Sequence, residues 1–302
     1  MHPNNPHQGK YELQALIQIE PNLKPFVFIN KFNKETIDFH DASAVKMLNK
    51  ALLKKYYNIR YWDIPKGYLS PPVPGRADYI HCLSDFITEK DKVITGAKIK
   101  ILDIGVGANC IYPLIGHGTF GWSFVGSDID PVALDNAKNI IHNNGLTEVI
   151  SLRQQKDQDH ILTNIIKDNE YFDALLCNPP FNESASAATK SRLRKIKNLN
   201  QPTNAQYNFG GQRNELYYEG GEINFISKLI KESRSYSTSV YWYSTLISKG
   251  TNVGKIKSLL NEFSVQTYKI NESTLGNKKS RIAFWTYLDP KQQKIWKSTK
   301  WK

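Results

Sequence analysis

From about Lys98 onward, short apolar runs alternate with amphipathic stretches along the chain. Ile99–Ile104, Ser123–Asp128, Val149–Arg153, Ala174–Cys177 and Ser239–Ser244 read as strands separated by helical patterns. That order predicts an α/β fold with a mostly parallel, Rossmann-like sheet. Asp130-Pro131 supplies a helix cap and a first-turn proline. Leu134, Ala137, Ile140 and Ile141 supply the apolar stripe, and Asn144-Gly145 the stop. A crossover helix is predicted over 222–232, with Ile223, Ile226, Leu229 and Ile230 inward. Two more strands, Val265–Ile270 and Ile282–Tyr287, would bring the sheet to seven and insert an antiparallel strand at its edge.

Upstream the pattern changes. Residues 1–10 read as a flexible arm, and a short apolar-periodic stretch covers 11–19. A stronger helix spans 42–57, capped by Asp41 or Ser43. Val45, Leu48, Leu52 and Leu53 lie on one face and Lys46, Lys50, Lys54 and Lys55 on the other. Pro65 to Arg76 is proline-rich and reads as an extended connection into a helix over 77–88. The chain thus divides into an N-terminal helical extension, 1–95, and an α/β domain, 96–302.

Composition narrows the function. With 302 residues, 40% hydrophobic and 12% aromatic, the chain can bury a substantial core. No run approaches the ~20 apolar residues of a membrane span. The first residues have no signal-peptide pattern, so a cytoplasmic protein is expected. Cys82, Cys110 and Cys177 have no metal-ligand spacing. They read as buried free thiols, and no metal site is expected. The net charge of +12 points to a polyanionic partner. Much of it falls in one place. The connection from Asn182 to Gly221 is far longer than the usual 2–6 residues, and Lys190, Arg192, Arg194, Lys195 and Lys197 cluster within it. Such residues contact phosphates without reading sequence. The glycine-rich second half of the connection has the composition of a lid.

Two motifs carry chemistry. Asp103-Ile104-Gly105-Val106-Gly107 turns a buried strand into a glycine bend, where Gly105 and Gly107 let backbone approach a ligand. Asp103 is placed to accept from a ligand ammonium group. Asp128 follows Gly107 by about twenty positions, the interval at which an acidic residue meets ribose hydroxyls. A dinucleotide fingerprint is not formed, because Cys110 replaces the third glycine and Pro113 is expected to interrupt the next helix. The second motif is Asn178-Pro179-Pro180-Phe181, which ends a strand in a rigid corner. The Asn178 side-chain oxygen and the Pro179 carbonyl could accept both hydrogens of an exocyclic amine while Phe181 stacks on its ring. Arg76, at the entry to its helix, is either an exposed capping residue or a guanidinium matched to a ligand carboxylate. Together the motifs fit amino methylation with S-adenosylmethionine as cofactor.

The resemblance to a known family is more specific. Ile101 to Gly116, with the run Gly-Ala-Asn-Cys-Ile-Tyr-Pro-Leu, and Cys177 to Phe181 resemble the bacterial large-subunit rRNA adenine-N6 methyltransferases that modify adenine 1618 of 23S rRNA. The eukaryotic methyltransferase-like sixteen proteins, which act on U6 snRNA, are related. Pro72 to His81, Asn208 to Gly211 and Glu219 to Glu222 extend the match over most of the chain. The resemblance implies a class I S-adenosylmethionine-dependent fold with an N-terminal extension. It also implies that Arg76, Gly105, Asp128 and Asn178 lie near the cofactor or target amine. The N-terminal arm and its basic helix become candidate RNA contacts. The implied partner is 23S rRNA or a large-subunit assembly intermediate. Protein glutamine-N5 methylation shares the Asn-Pro-Pro-aromatic corner but gives no reason for the basic charge. A DNA-amino methyltransferase shares both. An inactive RNA-binding module would not need Asp103, Asp128 and Asn178 at these spacings.

Overall fold

The computed structural model describes residues 1–180, 182–183, 213–275 and 278–302. The N-terminal part comprises helix α1 (Leu13–Ile19), a hairpin of β1 (Val27–Ile29) and β2 (Glu35–Ile37), and helices α2 (Ala42–Tyr57) and α3 (Val73–Ser84). A small hairpin, β3 (Thr88–Glu89) and β4 (Lys92–Val93), leads into the main sheet. That sheet contains β5 (Lys100–Ile104), β6 (Ser123–Asp128), β7 (Ile150–Gln154), β8 (Phe172–Cys177), β9 (Val240–Ile247), β10 (Thr267–Leu275) and β11 (Lys278–Thr286). Helices α4 (Ile111–Phe120), α5 (Pro131–Asn143), α6 (Gly221–Ser233) and α7 (Val253–Glu262) connect them, and α8 (Pro290–Lys300) closes the chain.

The strand order is β10-β11-β9-β8-β5-β6-β7. Pairings from β7 through β9 are parallel, whereas β11 runs antiparallel to both β9 and β10. The antiparallel strand therefore enters one place inside the edge, not at the edge as expected. From the central β5 the chain winds outward to β7, then returns to β8 on the other side. The topological switch lies between the carboxyl ends of β5 and β8, where open α/β sheets bind ligands.

Three sequence expectations are corrected. Helix α3 begins at Val73, because Pro74 occupies its first turn, where a missing N–H costs no helical bond. For the same reason Pro113, two residues into α4, leaves that helix intact. Residues 1–10 are not a loose arm: the His2 N–H donates to Asp78, Asn5 Nδ2 to the Pro74 carbonyl, and His7 Nε2 lies 2.6 Å from the Tyr57 hydroxyl. The β1–β2 hairpin, α7 and α8 are not among the predicted elements, although Asp289-Pro290 and Gln292 form a capping box that marks the start of α8.

Side-chain amides fasten the N-terminal part to the sheet domain. Asn144 Oδ1 accepts from the N–H groups of Arg60 and Tyr61, at 2.8 and 3.1 Å, and its Nδ2 donates to the Tyr61 carbonyl. Asn136 bridges the carbonyls of Asp63 and Ala108, and the Trp62 indole donates to the Asn109 carbonyl. Close approach reinforces these bonds. A Cβ at Gly118 would fall 2.8 Å from Tyr57, so α4 seats against the end of α2 only because that position is glycine. On α2, Lys46 and Lys50 pair with Asp63, and Lys54 pairs with Glu20. The basic helix face is thus largely matched by acids of the same molecule.

Candidate active site

At the carboxyl end of β5 the chain leaves Asp103 and turns at Gly105 and Gly107, whose φ values of +77° and +64° lie in the left-handed region. The Gly105 and Val106 N–H groups both donate to the Ser127 carbonyl, at 2.8 and 2.9 Å, which ties the bend to β6. A Cβ at Gly105 would meet nothing within 4 Å, so the bend presents open backbone there. Asp128 Oδ2 accepts from the Gly107 N–H at 2.9 Å and Oδ1 from the Asp130 N–H at 3.0 Å. Burial pushes the Asp128 carboxyl up, and these backbone donors work against that shift. Asp130 caps α5 and accepts from the Tyr68 hydroxyl at 2.8 Å. Cys110 precedes α4 at φ +51°, a costly conformation for a non-glycine residue, and the Asn109 side chain caps the helix instead.

Asp103 is the unusual group. It is 0% exposed, and neither carboxylate oxygen has a hydrogen-bond partner. Burial pushes its carboxyl well above the ordinary range and Asp128 adds to the shift, while the Arg76 guanidinium opposes it. A buried, unpaired carboxylate is costly, and an ammonium group would relieve the cost. Because Asp103 is sealed from solvent, such a group reaches it only as neighbouring side chains shift.

The Asn178-Pro179-Pro180 corner stands across the switch point. A buried hydroxyl holds its base: Tyr79 accepts from the Cys177 N–H at 3.3 Å and donates to Ser244 Oγ at 2.9 Å. Ser244 in turn donates to the Leu175 carbonyl. Tyr79 and Arg76 lie three residues apart on α3, so one helix supports the corner and aims a cation at it. Arg76 Nη1 donates to the Tyr112 hydroxyl at 2.8 Å. With the Asn178 amide turned to satisfy both of its ends, Oδ1 accepts from Arg76 Nη2 at 3.2 Å and Nη1 at 3.3 Å. Burial pushes the Tyr112 phenol up to about 12, against the pull of Arg76.

The structure therefore gathers Arg76, Asp103, Gly105, Gly107, Asp128, Asn178 and Pro179 at one end of the sheet. Phe181 and the basic residues Lys190, Arg192, Arg194, Lys195 and Lys197 lie outside the described residues. Just past the corner, the Asn182 N–H and side chain both donate to the Leu216 carbonyl, at 3.2 and 2.8 Å. This stitches the helical turn Arg213–Leu216 to the site, and Glu215 accepts from the Leu69 N–H beside Gly107. Tyr68, Tyr79, Tyr112 and Glu215 were not singled out from sequence. Tyr79 and Tyr112 lie inside the family-like runs, and helical spacing from Arg76 would have flagged the first. Glu215 had no signal. One strand beyond Asp128, a cleft of about 460 Å³ is lined by Gln154, Gln155, Lys156, Asp157, Gln158 and Asn164. Among the described residues, no group of three or more His, Cys, Asp or Glu side chains could hold a metal. No described helix is long and apolar enough to cross a membrane.

A family model described as RNA methyltransferase matches residues 1–289. The chain belongs to that family. Similar proteins include the Ribosomal RNA large subunit methyltransferase F of Pseudomonas putida (strain W619), 47% identical over 302 residues, 98% of this chain and 96% of the relative. The protein of the same description in Pseudomonas fluorescens (strain Pf0-1) is 45% identical, covering 100% of this chain and 90% of the relative. Among solved structures, the human Mettl16 catalytic domain in complex with MAT2A 3'UTR hairpin 1 has a TM-score of 0.83 at 27% identity, with 96% of both chains covered. The N-terminal domain of human METTL16 in complex with SAH has a TM-score of 0.77, also at 27% identity, covering 96% of this chain and 99% of that one. The RNA methyltransferase family, the class I fold and S-adenosylmethionine as donor, all expected from the sequence, hold.

Proposed function

We propose that this RNA methyltransferase methylates the N6 amino group of one adenine in 23S rRNA, adenine 1618 by family resemblance, in the cytoplasm. The observation that carries the reading is the pairing, at one switch point, of an orphaned buried carboxylate with an Asn-Pro-Pro corner. When bound, S-adenosylmethionine supplies a methyl group on a sulfonium cation. Asp103 would pair with its ammonium group and Arg76 with its carboxylate, the bidentate match that a guanidinium makes best. Asp128 keeps lone pairs beyond those used by backbone N–H groups, enough to accept ribose hydroxyls. Gly105 leaves backbone open to the ligand.

The target amine is a weak nucleophile because its lone pair is delocalised into the ring. Asn178 Oδ1 and the Pro179 carbonyl would accept its two hydrogens and favour a pyramidal nitrogen. These two dipoles also face the positive charge that develops on that atom. No general base is needed, since the methylated ammonium releases its proton to water. Phe181 would stack on the base, and a base in a loop would reach the pocket more cheaply than one in a duplex. Lys190, Arg192, Arg194, Lys195 and Lys197 would contact phosphates around it.

The test is methyl transfer to unmodified large-subunit rRNA, read as nucleosides by mass spectrometry. N6-methyladenosine at a single site, lost in Asn178→Ala with the fold retained, supports the reading. Product on a protein amide or on DNA would overturn the substrate while keeping the chemistry. Neutralising the five basic residues should weaken RNA binding and flatten its salt dependence.

A further inference from the structure

Building on that proposed function, we infer that Arg76 couples the cofactor and target sites, by withholding the Asn178 oxygen from the target amine until a ligand carboxylate claims its guanidinium.

The geometry gives Arg76 two possible acceptors. Its Nη2 and Nη1 reach Asn178 Oδ1 at 3.2 and 3.3 Å, while Nη1 is anchored on the Tyr112 hydroxyl at 2.8 Å. The ring of Tyr112 lies 5.4 Å from the guanidinium carbon. Tyr112 is buried and packs edge-on against Tyr79, which holds the strand leading to the corner. The guanidinium is thus hinged on a fixed hydroxyl rather than loose in solvent.

Asn178 Oδ1 is the atom required for the amine. A carbonyl oxygen already accepting from a cation is a poorer acceptor for a second donor. It is poorer still for a nitrogen that becomes positive during reaction. A carboxylate is a far stronger partner for guanidinium than a neutral amide, because both members of the pair are charged. A ligand carboxylate would therefore draw Arg76 from Asn178 and neutralise it. Linkage requires reciprocity: engagement of the target amine must tighten cofactor binding by the same factor.

The test compares affinities for two forms of a 23S rRNA fragment, one with adenine and one with purine at the target position. The two differ only in the exocyclic amine, so their affinity ratio reports engagement of that group. Saturating S-adenosylhomocysteine should raise the ratio about tenfold, within the usual range for coupled sites. Saturating 5'-methylthioadenosine, which lacks the carboxylate, should leave it unchanged. In Arg76→Met the ratio should be high without cofactor and indifferent to it, although S-adenosylhomocysteine binds more weakly by calorimetry. If both ligands bind the wild type yet the ratio ignores S-adenosylhomocysteine, the coupling is overturned and the site assignment stands. If methylthioadenosine raises the ratio equally, the carboxylate is not the trigger and the inference also fails. Absence of both cofactor binding and any preference for the amine would instead sink the proposed function itself.

Discussion

Two buried aspartates on adjacent strands face opposite fates. Asp103, at the carboxyl end of β5, is 0% exposed and has no hydrogen-bond partner. Asp173, near the amino end of β8, is 4% exposed and accepts three bonds: from the indoles of Trp296 and Trp301, at 2.8 and 2.7 Å, and from the Lys100 N–H at 2.9 Å. Burial pushes both carboxyls up, but only Asp173 has donors that offset the cost. At its amino edge the chain satisfies its own buried charge and docks α8 in doing so. At its carboxyl edge a carboxyl group is left without a partner, and we propose that a ligand ammonium group supplies it. Burial does not distinguish the two carboxyl groups, whereas partner count does.

The contrast can be broken most forcefully at Asp173. Asp173→Ala strands two indole N–H groups and one backbone N–H, and should cost about 3–4 kcal/mol of stability. Cofactor affinity of the folded fraction should not change. Denaturant unfolding beside calorimetry with S-adenosylhomocysteine checks both halves, and a selective loss of binding would reverse the roles assigned here.

Asp103→Asn should do the opposite. Affinity for S-adenosylhomocysteine should fall by about 2–3 kcal/mol, as expected for a lost charge-assisted bond. The fold should become more stable by about 1 kcal/mol, a rise of roughly 1–2 °C in midpoint for a protein of this size. An unstable variant with normal affinity would place Asp103 among the structural residues.

The smallest effect is the pH dependence of that gain. A folded-state pKa above the unfolded value means that ionised Asp103 destabilises the fold. The penalty is full above the raised folded pKa and vanishes as pH falls below the ordinary aspartate value of about 3.9. The stability gap between Asp103→Asn and wild type should therefore close on acidification. A gap that widened there would contradict the burial argument.

Much of this arrangement was legible in the sequence, for identifiable reasons. The strands of the parallel core are short and mostly apolar, and Asp130-Pro131 and Asn144-Gly145 punctuate α5 where they should. The candidate site residues sit in short local motifs at strand ends, so Asp103, Asp128 and Asn178 could be singled out one at a time. What escaped depends on distance along the chain. Glu215 is held at the site by contacts with distant residues, the Leu69 N–H that it accepts from and the bond of Asn182 to the Leu216 carbonyl. Residues 2–7 are ordered by contacts with Asp78, Pro74 and Tyr57. Proline chemistry was misjudged twice, because a proline in a helix's first turn and a proline in an extended linker look alike until the following residues are placed.

The tryptophans that satisfy Asp173 lie 123 and 128 residues after it. At ordinary translation rates of about 5–20 residues per second, the ribosome adds them roughly 6–25 s after the strand they complete. During that interval the Asp173 carboxylate has only water and the Lys100 N–H as donors. Closure of the amino edge thus lags the synthesis of β8, so Trp296 and Trp301 tie the order in which the chain is made to the way its sheet is finished.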